Sequence, residues 1–308
     1  MPQFTVGIDV GGTNVKLGLV NSQGKVISRS RLVTKSFARS KQKLINAMIA
    51  SINGLLTAKK LKAKDIDGIG IGLPGLINTK DGVVVFLPNV PGWKNIPLKK
   101  LIQAKLKIPT FLENDVNLIT LGEWKYGSGK GYENLICMTL GTGVGAGLIL
   151  NNALYRGEGF VAGELGHMPL NEKGPECTCG GFACFERYVG NRDLMKKAEK
   201  IFKMKEMNPP DVTALAKKGN IRAIQFWKET GVHIGNGLVG VINLLNPRVI
   251  IIGGGVSNHL AYMKPSIEKV IKRRAMKVQG KMVKIVRAKL GDDAGVIGAQ
   301  VLVKEKNK

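Results

Sequence analysis

The chain has 308 residues, 44% of them hydrophobic, with 40 glycines, 4 cysteines and a formal net charge of +25 at pH 7. That length and apolar content suit a globular α/β protein of two domains, and no run approaches the roughly 18 apolar residues that span a bilayer. The opening MPQFTVGIDV lacks the basic start and small-residue cleavage site of an export signal, so a cytoplasmic location is expected. The positive charge lies on lysines along helical faces, in the C-terminal VKEKNK and in one short cluster, IKRRAMK, and by itself assigns no partner.

In chain order, FTVGIDV and VKLGLV read as paired strands about a GGTN bend, and KVISRSRLV reads as a third. KLINAMIASINGLL reads as a helix with Leu44, Ile45, Met48, Ile49, Ile52, Leu55 and Leu56 on one face. IDGIGIGLPG and IPTFLEND read as buried strands ending in turns where side chains can face a ligand. A short helix near NLITLGEW precedes a second hairpin, NLICMTLGTGVGAGLIL, and a helical stretch through GNGLVGVINLLN precedes the strand RVIIIGGG. Offset by 130 residues, DVGGTNVKLGLV lies over TLGTGVGAGLIL, which predicts duplicated halves facing one cleft.

The chemistry of the two bends points to polyphosphate. Gly11 and Gly12 in the first, and Gly141 and Gly143 in the second, let backbone N–H groups converge on phosphate oxygens. Thr13, Asn14 and Thr142 add donors, and Lys16 offers a positive charge or faces solvent. A carboxylate at Asp9 would repel phosphate, so it implies an intervening Mg²⁺. Neither bend has the GxxxxGK[ST] spacing of a Walker A loop. A third turn holds Gly254 and Gly255; it either admits a flat purine or only lets strand and helix pack.

DVGGTNVK, the tripeptide Glu113-Asn114-Asp115, LGTGVGAG, GELGH at 163–167 and CTCGGFACFE at 177–186 resemble the ROK family of bacterial sugar kinases and repressors, in order and over essentially the whole chain. The family pattern at the last motif is CxCGxxGCxE, and Ala183 stands where glycine is usual. The resemblance implies an α/β, two-domain actin-like ATPase fold, with a small domain of residues 1–115 that regains a C-terminal helix, 292–308, and a large domain of 116–291. It implies Asp115 as catalytic base and Asn114 as a contact to a neighbouring sugar hydroxyl, with Gly75 and Asn89 at the far wall of the sugar pocket. Glu113 is left out of the site.

The cysteines support a metal independently. Cys177, Cys179 and Cys184 fall within eight residues and His167 lies ten residues upstream of the cluster, whereas Cys137 lies in an apolar strand and reads as core. Three thiolates and an imidazole make a closed tetrahedral zinc site, structural because no position stays open for water. Disulfides are the disfavoured rival. The metal would hold Glu164 and Glu186 toward sugar hydroxyls, and His167 could bind zinc with one nitrogen and face the sugar with the other. His233 and His259 receive no role.

The resulting expectation is an ATP- and Mg²⁺-dependent hexose kinase acting on glucose, assembled as a homodimer or homotetramer; the sugar is what the resemblance implies, from family frequency and from PNVPGWKNIPL, which resembles the corresponding segment of the family's glucose-phosphorylating members. Kinases for N-acetylglucosamine, N-acetylmannosamine, fructose and allose share these motifs. Polyphosphate as donor is disfavoured by the intact cysteine motif. A DNA-binding repressor is disfavoured because only eight residues precede Asp9.

Overall fold

The structure, a computed structural model, describes residues 4–37, 40–87 and 92–307. Asn89 lies outside the described residues. The chain forms two compact units. The first contains residues Met1–Gly131, Leu154–Ala162 and Leu290–Lys308, and the second Tyr132–Ala153 and Gly163–Lys289.

In the first unit, β1 (Phe4–Val10), β2 (Asn14–Asn21) and β3 (Val26–Val33) form an antiparallel meander. β4 (Ile66–Leu73) then pairs parallel to β1. A small antiparallel sheet of β5 (Leu76–Asn78), β6 (Val83–Phe86) and β7 (Lys94–Ile96) precedes β8 (Thr110–Asn114), which pairs parallel to β4. The main sheet order is β3-β2-β1-β4-β8. β4 is nearly continuously buried because both its faces are covered, as expected for a strand inside a parallel pairing.

Helix α1 (Lys41–Ala58) starts at Ser40, whose side chain accepts from Lys43 N–H, and buries six of the seven apolar residues on its expected face, with Ile49 half-buried. α2 (Leu98–Leu106) leads to β8, and α3 (Asp115–Tyr126) follows it without a loop. α3 packs on the C-terminal helix Ala294–Lys306, which is buried from Ala294 to Val303. A Cβ at Gly70 would stand 2.7 Å from Ala299 O, so that helix lies directly against the sheet. This packing explains why the unit runs on through α3 to Gly131 rather than stopping at residue 115.

The second unit repeats the pattern. β9 (Leu135–Leu140), β10 (Val144–Leu150), β11 (Ala153–Tyr155, of which Ala153 falls in this unit), β12 (Val249–Gly253) and β13 (Lys284–Arg287) take the order β11-β10-β9-β12-β13. β9 and β10 are antiparallel, and β9, β12 and β13 are parallel. α4 (Glu186–Val189), α5 (Asn191–Phe202), α6 (Pro209–Lys217), the long α7 (Ile221–Leu245), α8 (Leu260–Arg274) and the short α9 (Lys277–Met282) complete it. Cys137 is fully buried in β9, in keeping with a core role. Among the described residues no helix is long and apolar enough to cross a membrane.

Candidate active site and metal centre

The first hairpin is closed by Gly11 N–H donating to Asn14 O at 2.8 Å, and braced by the Thr34 hydroxyl donating to Gly11 O at 2.8 Å. Gly12 and Thr13 at its tip are exposed. Gly12 does not hold a positive φ, and an added Cβ meets nothing within 4 Å. What the glycine preserves is open space over the bend. Gly12→Val is therefore expected to keep the wild-type Tm and sugar affinity while raising the ATP KM about tenfold or more, because the branched side chain fills the approach to the backbone N–H groups. An unchanged ATP KM in steady-state kinetics would mean the bend is only a turn.

Asp9 stands opposite Lys16 in the β1–β2 ladder. Burial pushes its carboxyl above the usual 3.8, Lys16 opposes the rise and Asp292 adds to it. A bound cation relieves such a rise, so the residue fits a Mg²⁺-facing role. A carboxyl with a raised folded pKa loses stability as pH climbs from its unfolded value through the folded one, so Asp9→Asn should raise the Tm of nucleotide-free protein at pH 7 while impairing Mg-ATP use. A lowered Tm would contradict this. Lys16 does not simply face solvent: its Nζ lies 3.1 Å from Asp292 Oδ1, and Arg29 forks onto Asp293 nearby.

In the second hairpin Gly141 N–H donates to Gly143 O at 3.0 Å, and Gly141 O accepts from Asn191 N–H at the start of α5. A Cβ on Gly143 would stand 2.5 Å from Glu186 Oε2, so this glycine makes room for a carboxylate as well as for a ligand. The third turn divides its labour. Gly254 has φ +81° and no room beside Leu140, a packing role, whereas Gly255 faces open space. A cavity of about 270 Å³ lies here, lined among others by Gly141, Thr142, Asn191, Pro209, Gly255 and His259.

His259 was given no role by its sequence context. Its ring stacks on Trp227 at 5.1 Å, and its Nδ1 lies 2.7 Å from Thr213 Oγ1. Burial, with Arg287 and Lys217 assisting, lowers its pKa, so the ring is neutral at pH 7. Only the fold brings it to this cavity, and sequence carried no signal for it.

Asn114 ends β8 and caps α3: its Oδ1 accepts from Val116 N–H at 2.9 Å and Asn117 N–H at 3.2 Å. The cap leaves its amide NH₂ as the donor to offer a ligand. Asp115 is the first residue of α3, half-buried, with Oδ1 accepting from Val116 N–H. A carboxylate there benefits from the helix N-terminal field. Glu113, set aside in the sequence, is 1% exposed and engaged by three donors. Gly75 is exposed at φ +90° in the turn between β4 and β5.

His167 closes a short 3-10 turn, Leu165–His167, and the cysteines sit in a knuckle made by Cys177 N–H to Gly181 O and Gly180 N–H to Cys177 O. The Nδ1 or Nε2 of His167 and the three Sγ atoms lie within 4.8 Å of one another. Cys179 Sγ and Cys184 Sγ are 3.6 Å apart, and Cys177 Sγ is 3.7 Å from His167 Nδ1. A tetrahedral zinc with ordinary Zn–S and Zn–N bonds needs edges of about 3.8 and about 3.6 Å, so the set fits the ion. The Gly181 N–H lowers Cys179 to about 7, while burial lifts Cys177 and takes Cys184 to about 12. Ala183 is fully buried and holds φ +53°, adopting with a methyl group the conformation for which the family pattern uses glycine. His167 Nε2 lies 3.9 Å from Glu164, and its Nδ1 lies 4.0 Å from Glu186. Both carboxylates therefore flank the same ring.

Two sheets of one strand order, each opening with a glycine hairpin, define an actin-like ATPase fold. The ROK family profile matches residues 5–306, and the chain belongs to that family. A glucokinase of Streptomyces coelicolor is 31% identical over 319 residues, covering 98% of each chain. The xylose repressor of Bacillus subtilis is 31% identical over 308 residues, covering 97% of this chain and 77% of the repressor. A solved ROK family glucokinase from Streptomyces griseus, in complex with glucose and AMPPNP, has a TM-score of 0.83 at 29% identity, covering 98% of this chain and 99% of that one.

Proposed function

We propose that this protein is an ATP-dependent hexose kinase that transfers the γ-phosphoryl group to the 6-hydroxyl of glucose. The observation that carries the reading is Asp115, a carboxylate at the first position of a helix that leaves a parallel strand without a loop. Similarity to glucokinases along nearly the full chain supports the activity and the sugar. Asp115 orients the 6-hydroxyl and accepts its proton, a modest demand because phosphoryl transfer is loose and mostly electrostatic. Asn114, Glu164, Glu186 and His167 hold neighbouring hydroxyls, with Gly75 at the far wall. The two hairpins, through Gly11, Gly12, Thr13, Asn14, Gly141, Thr142 and Gly143, bind the phosphates, with Lys16 nearby, and Gly254 and Gly255 border the nucleoside.

Asp9 would hold Mg²⁺, which neutralises phosphate charge when bound. His167, Cys177, Cys179 and Cys184 would hold a structural zinc. A cytoplasmic homodimer or homotetramer belongs to the same reading.

The test is a coupled assay crossing a sugar panel with ATP and inorganic polyphosphate. The expected result is the highest kcat/KM with glucose and ATP. Preference for another hexose would replace the sugar, and turnover only with polyphosphate would replace the donor. The resemblance to the xylose repressor, equal in identity to that of the glucokinase, favours one further reading, a sugar-responsive regulator. Sequence-selective binding of duplex DNA at physiological salt, with no phosphorylation of any sugar, would establish it instead.

A further inference from the structure

Glu113 carries a buried carboxylate at a strand position where its neighbour Leu112 is apolar and 1% exposed. An apolar side chain there would avoid the desolvation cost of a charge, so fold stability alone does not call for glutamate. The carboxylate does something more specific. Its Oε1 accepts from Asn114 N–H at 3.0 Å and from Asn117 Nδ2 at 3.0 Å, and its Oε2 accepts from Arg156 Nε at 2.6 Å. One side chain thus fixes the Glu113–Asn114 peptide, one residue ahead of Asp115, and the first turn of the helix that carries Asp115. Arg156 belongs to the segment Leu154–Ala162 of the same unit, the stretch of chain that runs on into Gly163 and Glu164.

We propose that Glu113 is a positioning residue for the Asp115 base, and that Arg156 holds it in that role. The proposal rests on the kinase reading above. A base must meet its hydroxyl within hydrogen-bond reach, and a misplacement of about 1 Å costs about 100-fold in rate. Glu113 supplies the constraint from behind: loosening it frees the Glu113–Asn114 peptide and the Asn117 side chain, and so shifts Asp115, while the Asn114 cap still holds the helix. The Arg156 guanidinium is the charged partner of the carboxylate and occupies Oε2, leaving Oε1 to accept from Asn114 N–H and Asn117 Nδ2.

Glu113→Gln removes the charge and the third acceptor site. Whichever way the new amide lies, its NH₂ meets a donor from Arg156 or from Asn114 and Asn117. The experiment measures kcat, sugar KM and Tm for Glu113→Gln and for Arg156→Lys, each in the wild-type and in the Asp115→Asn background. In the wild-type background Glu113→Gln should lower kcat about 30-fold, and in the Asp115→Asn background less than about threefold, because there is no base left to misplace. The Tm loss should be the same in both.

An equal fold-loss of kcat in the two backgrounds would overturn the proposal, since a general structural role multiplies independently of the base. If Glu113→Gln fails to fold, Arg156→Lys carries the same comparison: it keeps a positive charge on a more exposed side chain but loses the planar Nε contact. Failure of the two readings is distinguishable. A wild-type protein that phosphorylates no sugar removes the kinase reading and this proposal with it, whereas an active wild type with equal losses removes this proposal alone.

Discussion

Asp115→Asn should fold, bind sugar and lose kcat by a factor on the order of 100 or more. The amide has the shape of the carboxylate and can still accept from Val116 N–H, so the local hydrogen bond survives. The cap at Asn114 is untouched, and loss of one negative charge at the first turn of α3 costs stability of only about 0.3–1 kcal/mol. What disappears is the group that takes the hydroxyl proton. Because the proton leaves late in a loose transition state, the loss belongs in kcat and not in sugar KM, which separates a catalytic role from a binding one. Steady-state kinetics with both substrates varied, beside calorimetric sugar titration, measures this. Turnover within threefold of wild type would remove Asp115 from the mechanism.

How much of this site could be read from sequence depended on how local each feature is. The hairpins, the helical face of α1 and the Cys-x-Cys cluster are defined by spacings of a few residues, and each stands where its spacing placed it. The repeated hairpin motif also anticipated the repeated strand order. The small sheet β5–β7 went unread because strands of three or four residues carry too few alternations to give a period.

Pairs distant in the chain were equally invisible. Lys16 with Asp292, Glu113 with Arg156, and His259 with Trp227 are created only by folding. Glu113 is instructive. Its sequence context leaves it outside the site, yet folding buries its carboxylate against donors that the helix and a distant segment supply.

Loss of the metal should divide the two substrates. If His167, Cys177, Cys179 and Cys184 bind one Zn²⁺, purified protein should hold about one zinc per chain, and Cys179→Ser should lower that sharply, since a hard hydroxyl replaces a thiolate. Cys179 is exposed, so the substitution opens no core cavity and its effect passes through the ion. Glu164 and Glu186 both flank His167 and would lose their common anchor, raising sugar KM about tenfold or more. The effect on ATP should be smaller but not absent, because the Glu186 carboxylate stands against Gly143 and so backs the second hairpin. The first hairpin takes its bracing from Thr34 and should be unaffected. Metal analysis paired with two-substrate kinetics reads both consequences. Zinc-free wild-type protein with full activity would defeat the metal assignment, and an equal rise in both KM values would show that the ion supports the whole unit rather than the sugar-facing carboxylates.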